Sequence, residues 1–561
     1  MVGLTHDRIA GRGAIARILA FTPPILFGLI AATRVFPETE IAYSFHLISW
    51  MALAAFAALV LAKPAYAAAE KGCSIIVAMA LANGAIMVFG GYHCWGLFDS
   101  VCGAPGHVQS LRALTDWSTV YANNDTYTYL VPFDGFSLRP PLYYLFSKIV
   151  LLFHVDSEKV LQEANDLIAL GLQSPNDLGD NVIDKTRHLA DAVSAQKYPS
   201  LLRLAQAQKV LLWASTIYFA IAAMRVVPAI FAAMALLALF DGGYLTHWYY
   251  IHAIESKTLY LTCFFATAAA SLACMRAPGM RNLFLAALFG GAMVLARPQG
   301  YVAILLVAVC AVRVLAYRPW SFRKSAVSAT AAIAIFTVMA AFPTMATFFR
   351  TGVVQPSNIY AMSRIMAALE LATPRDLDLM PDEFTRKYLS LMLDMKARNE
   401  KPADLNASLH QNQEIAMVAC GKEGRKELER ATLFCSDAMN NVSAIVLRRH
   451  FDGYLNKIVL SNLKALVPYA IGGGISYFPI MVLVVLAAAC LLALTSPWIA
   501  LWGAAVAVAH YGLFVLLAIF AGAHPIYFYT SEPVFLVAAV VVLVSLRTRW
   551  ADERRPADEA T

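Results

Sequence analysis

The feature that most constrains this chain is the recurrence of apolar runs about as long as a bilayer is thick. A helix needs about 20 consecutive apolar residues to cross the hydrocarbon core. Runs of that kind fall near 15–33, 44–62, 74–95, 207–224, 226–242, 258–275, 282–297, 300–317, 325–348, 477–495, 498–521 and 533–547. The expected number of spans is about twelve, uncertain by one or two where short runs are joined by tight turns. In lipid each segment must satisfy its own backbone hydrogen bonds, so such runs fold as helices. The expected class is all-α, a polytopic transmembrane bundle. Composition agrees, with 59% of the 561 residues hydrophobic and only 14% charged. A soluble domain carries roughly 25% charged residues. Disorder, coiled coil, collagen and small disulfide scaffolds are excluded.

Placement of charge then sets orientation. Lys63, Lys71, Arg225, Arg276, Arg281, Arg313, Arg318, Arg323 and Lys324 fall in alternate loops, and Arg547, Arg549, Arg554 and Arg555 close the tail. The short loops between them, 243–256 and 522–532, contain no Lys or Arg. By the positive-inside rule both termini are cytoplasmic. The net charge of +7 thus belongs to the lipid surface, and no nucleic-acid partner is expected. Arg8, Arg12 and Arg17 before the first span resemble a signal-peptide start. Arg34, Val35 and Phe36 after it make a poor cleavage site, so the span is expected to be retained.

Six regions follow: N-terminal spans in 1–95, a first outer segment in 96–206, central spans in 207–348, a second outer segment in 349–476, C-terminal spans in 477–548 and a cytoplasmic tail in 549–561. Both outer segments read as water-facing helices; in the second, Leu389, Leu391, Leu393 and Met395 are taken as apolar residues at helical spacing among many charges. Of the nine cysteines, Cys263, Cys274, Cys310 and Cys490 lie in apolar runs and read as small hydrophobes. The pairs Cys94 with Cys102 and Cys420 with Cys435 fall outside, where disulfides are permitted. Residues 139–153 (RPPLYYLFSKIVLLF) are apolar enough to suggest a span, but a span there would put Arg225, Arg276 and Arg323 outside. An interfacial helix opened by Pro140 and Pro141, with Arg139 and Lys148 at headgroup level, resolves this.

The densest polar text precedes that helix: Asp116-Trp117, Tyr121, then Asn123 through Tyr129, Asp134, Ser137 and Arg139. An acid just outside a span can take a proton from a hydroxyl, and a cation on an interfacial helix can hold a lipid phosphate. The same residues can equally cap a helix and snorkel to headgroups.

The pattern Asp125-Thr-Tyr-Thr-Tyr-Leu, followed by Ser137-Leu-Arg139-Pro-Pro-Leu-Tyr143, resembles the first outer loop of GT-C glycosyltransferases. Within them it is similar to the protein O-mannosyltransferase and lipid A aminoarabinose transferase group. Arg203-Leu-Ala-Gln206, His252-Ala-Ile-Glu255-Ser256 and Ala296-Arg297-Pro298-Gln299-Gly300 are weaker correspondences; together they cover about 120–320. The resemblance implies an outer loop with interfacial helices and a catalytic acid. It implies transfer of a sugar from a polyprenyl-phosphate donor to an envelope glycan, glycolipid or protein, with inversion.

Asp125 would be the base, with Asp134 its rival and Asp99 and Asp116 weaker. Arg139, Tyr127, Tyr143, Glu255, Arg297, His252 and His524 would contact substrate. His524 and Tyr527 stand where the family often has an Arg-Tyr pair, and the Arg is missing here. A lipid monophosphate donor implies no metal and no further cofactor. The expected partners are that donor, the acceptor and the bilayer, and the expected location is a bacterial inner membrane with a periplasmic active site. Competing readings are a polysaccharide polymerase or ligase using lipid-diphosphate donors, and a transporter. The first would place its essential Arg and His in the second outer segment. The second would show paired repeats and broken helices at mid-membrane.

Overall fold

A computed structural model describes residues 22–30, 32–33, 40–62, 75, 78–80, 120, 129–130, 140–172, 197–241, 254–317, 319–351, 354, 359–399, 402, 405–424, 428–462, 470–471, 474–475, 478–520 and 531–553. They are helical almost throughout. The exception is a two-residue antiparallel ladder, Ala470–Ile471 against Gly474–Ile475.

Membrane-type helices are α1 (Glu40–Ala62), α4 (Pro199–Met224), α5 (Ala229–Asp241), α6 (Ser256–Arg276), α7 (Met280–Ala296), α8 (Ile304–Leu315), α9 (Phe322–Thr351), α14 (Phe478–Leu492), α15 (Pro497–Phe520) and α16 (Glu532–Glu553). Between them lie α2 (Leu142–Val150) and α3 (Glu158–Leu172), and later α10 (Ile359–Leu371), α11 (Glu383–Arg398), α12 (Leu405–Gly424) and α13 (Leu428–Arg449). Among the described residues five helical stretches are long and apolar enough to cross a membrane: Ser44–Leu61, α4, α6, Pro298–Leu315 and Phe322–Phe349. Shorter apolar helices such as α7 pack beside them. The protein is therefore a membrane protein by the length and apolarity of its helices.

One helix is central. In α6, 94% of the membrane-length stretch is buried inside the protein, against 33% for the stretches in α1 and α9. It is surrounded by α4, α7, α8 and α15. Small residues permit this, with Ala266, Ala268, Ala269, Ala270 and Ala273 all buried, because helices in lipid associate through close backbone approach. The outward faces stay apolar instead of polar: Val327, Val338, Phe349, Leu483 and Leu494 are all exposed. A neighbouring lipid, not water, is the solvent for such faces.

The interfacial reading of 139–153 corresponds to α2, which is shorter than the apolar run. At nine residues it is about 14 Å long, less than half the hydrocarbon core. Leu152 and Phe153 take positive φ values of 52° and 69° and end it. It buries Tyr143, Phe146 and Ser147 while Leu145, Ile149, Leu152 and Phe153 remain exposed. An apolar face directed away from the protein suits a helix lying along a bilayer surface.

In the second charged segment, α10 to α13 form a core of their own around Ile365, Tyr388, Met392, Ile415, Met439 and Val446. Here the sequence reading needs correcting. Leu389, Leu391, Leu393 and Met395 recur every two residues and cannot share one helical face. The buried stripe of α11 is Thr385, Tyr388, Leu389 and Met392, at the i, i+3, i+4, i+7 spacing of an amphipathic helix. Asp382 caps this helix by accepting from the Thr385 amide at 2.7 Å. Cys420 and Cys435 form a disulfide across α12 and α13. Cys94 and Cys102 lie outside the described residues.

Candidate functional site

The site is built where the N-terminal end of α6 meets α2, α4 and the turn after α7. Glu163 of α3 first fixes α4: its carboxylate accepts from the amides of Ser200 at 2.9 Å and Leu201 at 3.3 Å, and from the Ser200 hydroxyl at 3.0 Å. A carboxylate at a helix N-terminus also matches the dipole. This sets the register that brings buried Gln208 and Lys209 toward the same end of the bundle.

Tyr143, fully buried on α2, donates its hydroxyl to Gln208 Oε1 at 3.1 Å. Its ring meets that of Tyr129 at 5.4 Å between centroids, and the Ser256 hydroxyl approaches the Tyr129 hydroxyl at 3.4 Å. Burial, then the charge of Glu255, then Tyr129 hold the Tyr143 phenol well above its ordinary range. It therefore stays protonated and acts as a donor.

Glu255 stands at the N-cap of α6, with its backbone extended. Its Oε1 lies 3.2 Å from Lys257 Nζ, with both side chains almost wholly buried. The contact is an ion pair whose geometry does not complete a hydrogen bond to that oxygen.

About one turn further along α6 the Tyr260 hydroxyl is buried with no hydrogen-bond partner, within electrostatic reach of Arg297. Arg297 Nη1 and Gln299 Oε1 are likewise buried and unpartnered among the described residues. Gly300 explains how Arg297 is positioned. A Cβ there would lie 2.3 Å from the Met293 carbonyl carbon and 2.4 Å from the Val294 nitrogen. Only glycine lets the Arg297-Pro298-Gln299-Gly300 turn fold back onto the end of α7.

Of the residues proposed from sequence, the structure thus brings Tyr143 and Glu255 together and sets Arg297 one turn away. Asp125, Asp134, Arg139, Tyr127, His252 and His524 lie outside the described residues. Sequence reasoning missed Gln208, Lys209 and Tyr260, and named Tyr129 and Gln299 only within longer motifs. Gln208 and Lys209 carried a readable signal, since polar residues in the first turns of an apolar span are costly unless used.

Chemically the arrangement offers a protonated phenol, a buried carboxylate paired with an ammonium, and a guanidinium with an open donor. Buried donors of this kind want an anion or a hydroxyl-rich ligand. No group of three or more His, Cys, Asp or Glu suited to a metal occurs among the described residues. No protein-family model, curated protein or solved structure matches the chain.

Proposed function

We propose that this protein is an integral membrane glycosyltransferase of the GT-C type, moving a sugar from a polyprenyl-phosphate donor to an acceptor in the cell envelope. The observation that carries the reading is Arg297 Nη1, buried and without a partner among the described residues, at the end of the bundle where α2 packs. A guanidinium taken out of water with a donor left open is costly until an anion completes it. A phosphate whose polyprenyl tail stays in lipid can reach such a donor without leaving the membrane surface.

In this reading the bundle has about twelve spans, both termini are cytoplasmic, and the site opens to the periplasmic side of a bacterial inner membrane. Asp125, with Asp134 as its rival, accepts the proton of the acceptor hydroxyl. That oxygen bonds to the anomeric carbon as the carbon–phosphate oxygen bond breaks, which inverts the centre. Arg139 and Arg297 stabilise the charge gathering on the departing polyprenyl phosphate. Tyr143, Glu255, Tyr127, His252 and His524 hold sugar and acceptor. Asp125 precedes Tyr129 by four residues, a chain length that reaches at most about 14 Å. A monophosphate leaving group needs no metal in this scheme.

Transfer of labelled sugar from the lipid fraction to envelope acceptors in membrane vesicles tests it. Asp125→Asn should lower the rate about 100-fold or more, and Arg297→Gln should also lower it. Full activity in folded Asp125→Asn would overturn the assignment of the base; full activity in Asp134→Asn as well would overturn the mechanism.

A further inference from the structure

At the far end of α6 the bundle holds a second polar cavity, unrelated to the residues just described. Twenty-one residues separate the two ends of this helix, about 30 Å and the thickness of the hydrocarbon core. The cavity encloses about 280 Å³ between the ends of α6, α8, α14 and α16 and the start of α15.

Its chemistry is one-sided. Arg276 and Arg313 line it, and no carboxylate does among the described residues. Arg313 is held in place by donating its Nε to the Met275 carbonyl at 3.2 Å and by lying 4.7 Å over the Trp498 ring. Neither contact uses its two Nη groups. The first residues of α15, Pro497, Trp498 and Ile499, also form the wall, so the positive dipole end of a 24-residue helix borders the same space. Ser545 lines it too; its hydroxyl is buried, with the residue 5% exposed, and has no partner. Two cations, a helix N-terminus and an orphaned hydroxyl, with no acid among the described residues to balance them, describe an anion site. Val226, Met275 and Ile499 give it apolar walls.

We propose that this cavity binds the phosphate of an anionic phospholipid at the membrane surface opposite the candidate active site. Guanidinium groups match phosphate oxygens in a forked geometry, and basic pockets between helix ends are suited to headgroups.

The test is a thermal-unfolding titration of the full chain in detergent with dioctanoyl phosphatidylglycerol, dioctanoyl phosphatidylcholine or inorganic phosphate. Phosphatidylglycerol should raise the midpoint saturably, and phosphatidylcholine should not. Half-saturation should rise at least tenfold in Arg313→Gln and in Arg276→Gln, and stay unchanged in Arg323→Gln, an exposed cation outside the cavity. Arg276 is exposed, so its variant keeps the test open if Arg313→Gln fails to fold. Equal response of both Arg variants and the parent would overturn the site. A saturable response to inorganic phosphate matching that of phosphatidylglycerol, and lost in the same variants, would overturn the lipid assignment.

Discussion

The membrane bundle and the helical insert α10–α13 are cut from one chain yet are held together by different means. In the bundle, glycines let helices approach closely between larger residues such as Phe219, Phe265 and Trp502. Gly290 faces Ala303, Val307 and Phe336, and at Gly291 a Cβ would lie 2.7 Å from the Met339 sulfur. In the insert the core mixes alanines such as Ala368, Ala416 and Ala419 with larger residues, and Tyr388 among them donates its hydroxyl to the Ala416 carbonyl at 2.9 Å. Charges sit at its rim. Glu370 accepts from Ser408 at 2.6 Å and Lys396 at 3.1 Å, while Lys387 pairs with Glu383 on an exposed face. The difference follows from solvent. Water drives apolar groups together and keeps charges at the rim, whereas lipid tails are as apolar as the core, so the outer faces of the bundle stay apolar and close packing decides its contacts.

Gly300→Ala should strike hardest, because the new methyl would meet backbone that cannot swing aside. A loss of about 3 kcal/mol or more, read as a lower unfolding midpoint in detergent, is expected together with loss of the Arg297 turn. The matching change in the insert is Gly453→Ala, where the nearest atom is the Leu371 side chain at 3.4 Å. It should be nearly neutral, and an equal loss at both positions would break the contrast.

Removing the staple comes next. Cys420→Ser with Cys435→Ser opens a loop of separation 15 and should cost about 3 kcal/mol. Limited proteolysis should then cut the insert first and leave the bundle whole.

Asp376 sharpens the comparison through pH. It is fully buried, accepts from the Thr373 amide at 2.7 Å and hydroxyl at 2.8 Å, and pairs with Arg449 at 3.1 Å. Burial raises its carboxyl, but the Thr373 and His450 hydrogen bonds more than offset this and hold it below the ordinary range. A depressed folded-state value stabilises above the unfolded value of about 3.9, and that stability is lost as pH falls through the folded value. The insert should loosen between about pH 5 and the acid end, and Asp376→Asn should remove this slope at a cost of about 1–3 kcal/mol. Hydrogen exchange across 359–459 would show it.

Apart from the nearly neutral Gly453→Ala, the smallest effect is expected at Trp502→Phe, which deletes the 2.9 Å bond from the indole to Ser271. About 1 kcal/mol is reasonable for a hydrogen bond between helices in lipid, seen as a small fall in the unfolding midpoint.

Helix positions were legible because an apolar run has one outcome in lipid: the run at 258–275 is α6, and that at 325–348 lies within α9. Which helix would be central was less legible, since hydropathy measures contact with lipid and protein alike. The alanine run of α6 carries that information, but only as a capacity for close packing. The insert misled through Leu389, Leu391, Leu393 and Met395, a period-two pattern that a helix spreads over both faces. At the candidate site Glu255 and Tyr143 were singled out because they stand in motifs that resemble those of GT-C glycosyltransferases. The phosphate cavity could not be read, since Arg276, Arg313, Trp498 and Ser545 come from helices far apart in sequence and meet only through packing.

The Trp502–Ser271 bond also implies an order of events. Its two residues are 231 positions apart, which at about 5–20 residues per second is roughly 10 to 50 seconds of synthesis. Throughout that interval α6 must sit in the membrane without α15. Its hydroxyls are prepared for the wait: Thr262, Thr267 and Ser271 each bond to a carbonyl of their own helix, at 2.8, 2.7 and 2.9 Å. None of these three is stranded in lipid meanwhile, and Ser271 keeps a lone pair for the indole that arrives late. The C-terminal helices are thus the closing wall of the bundle, and a ribosome that stops before Pro497 leaves the central helix uncovered on one side.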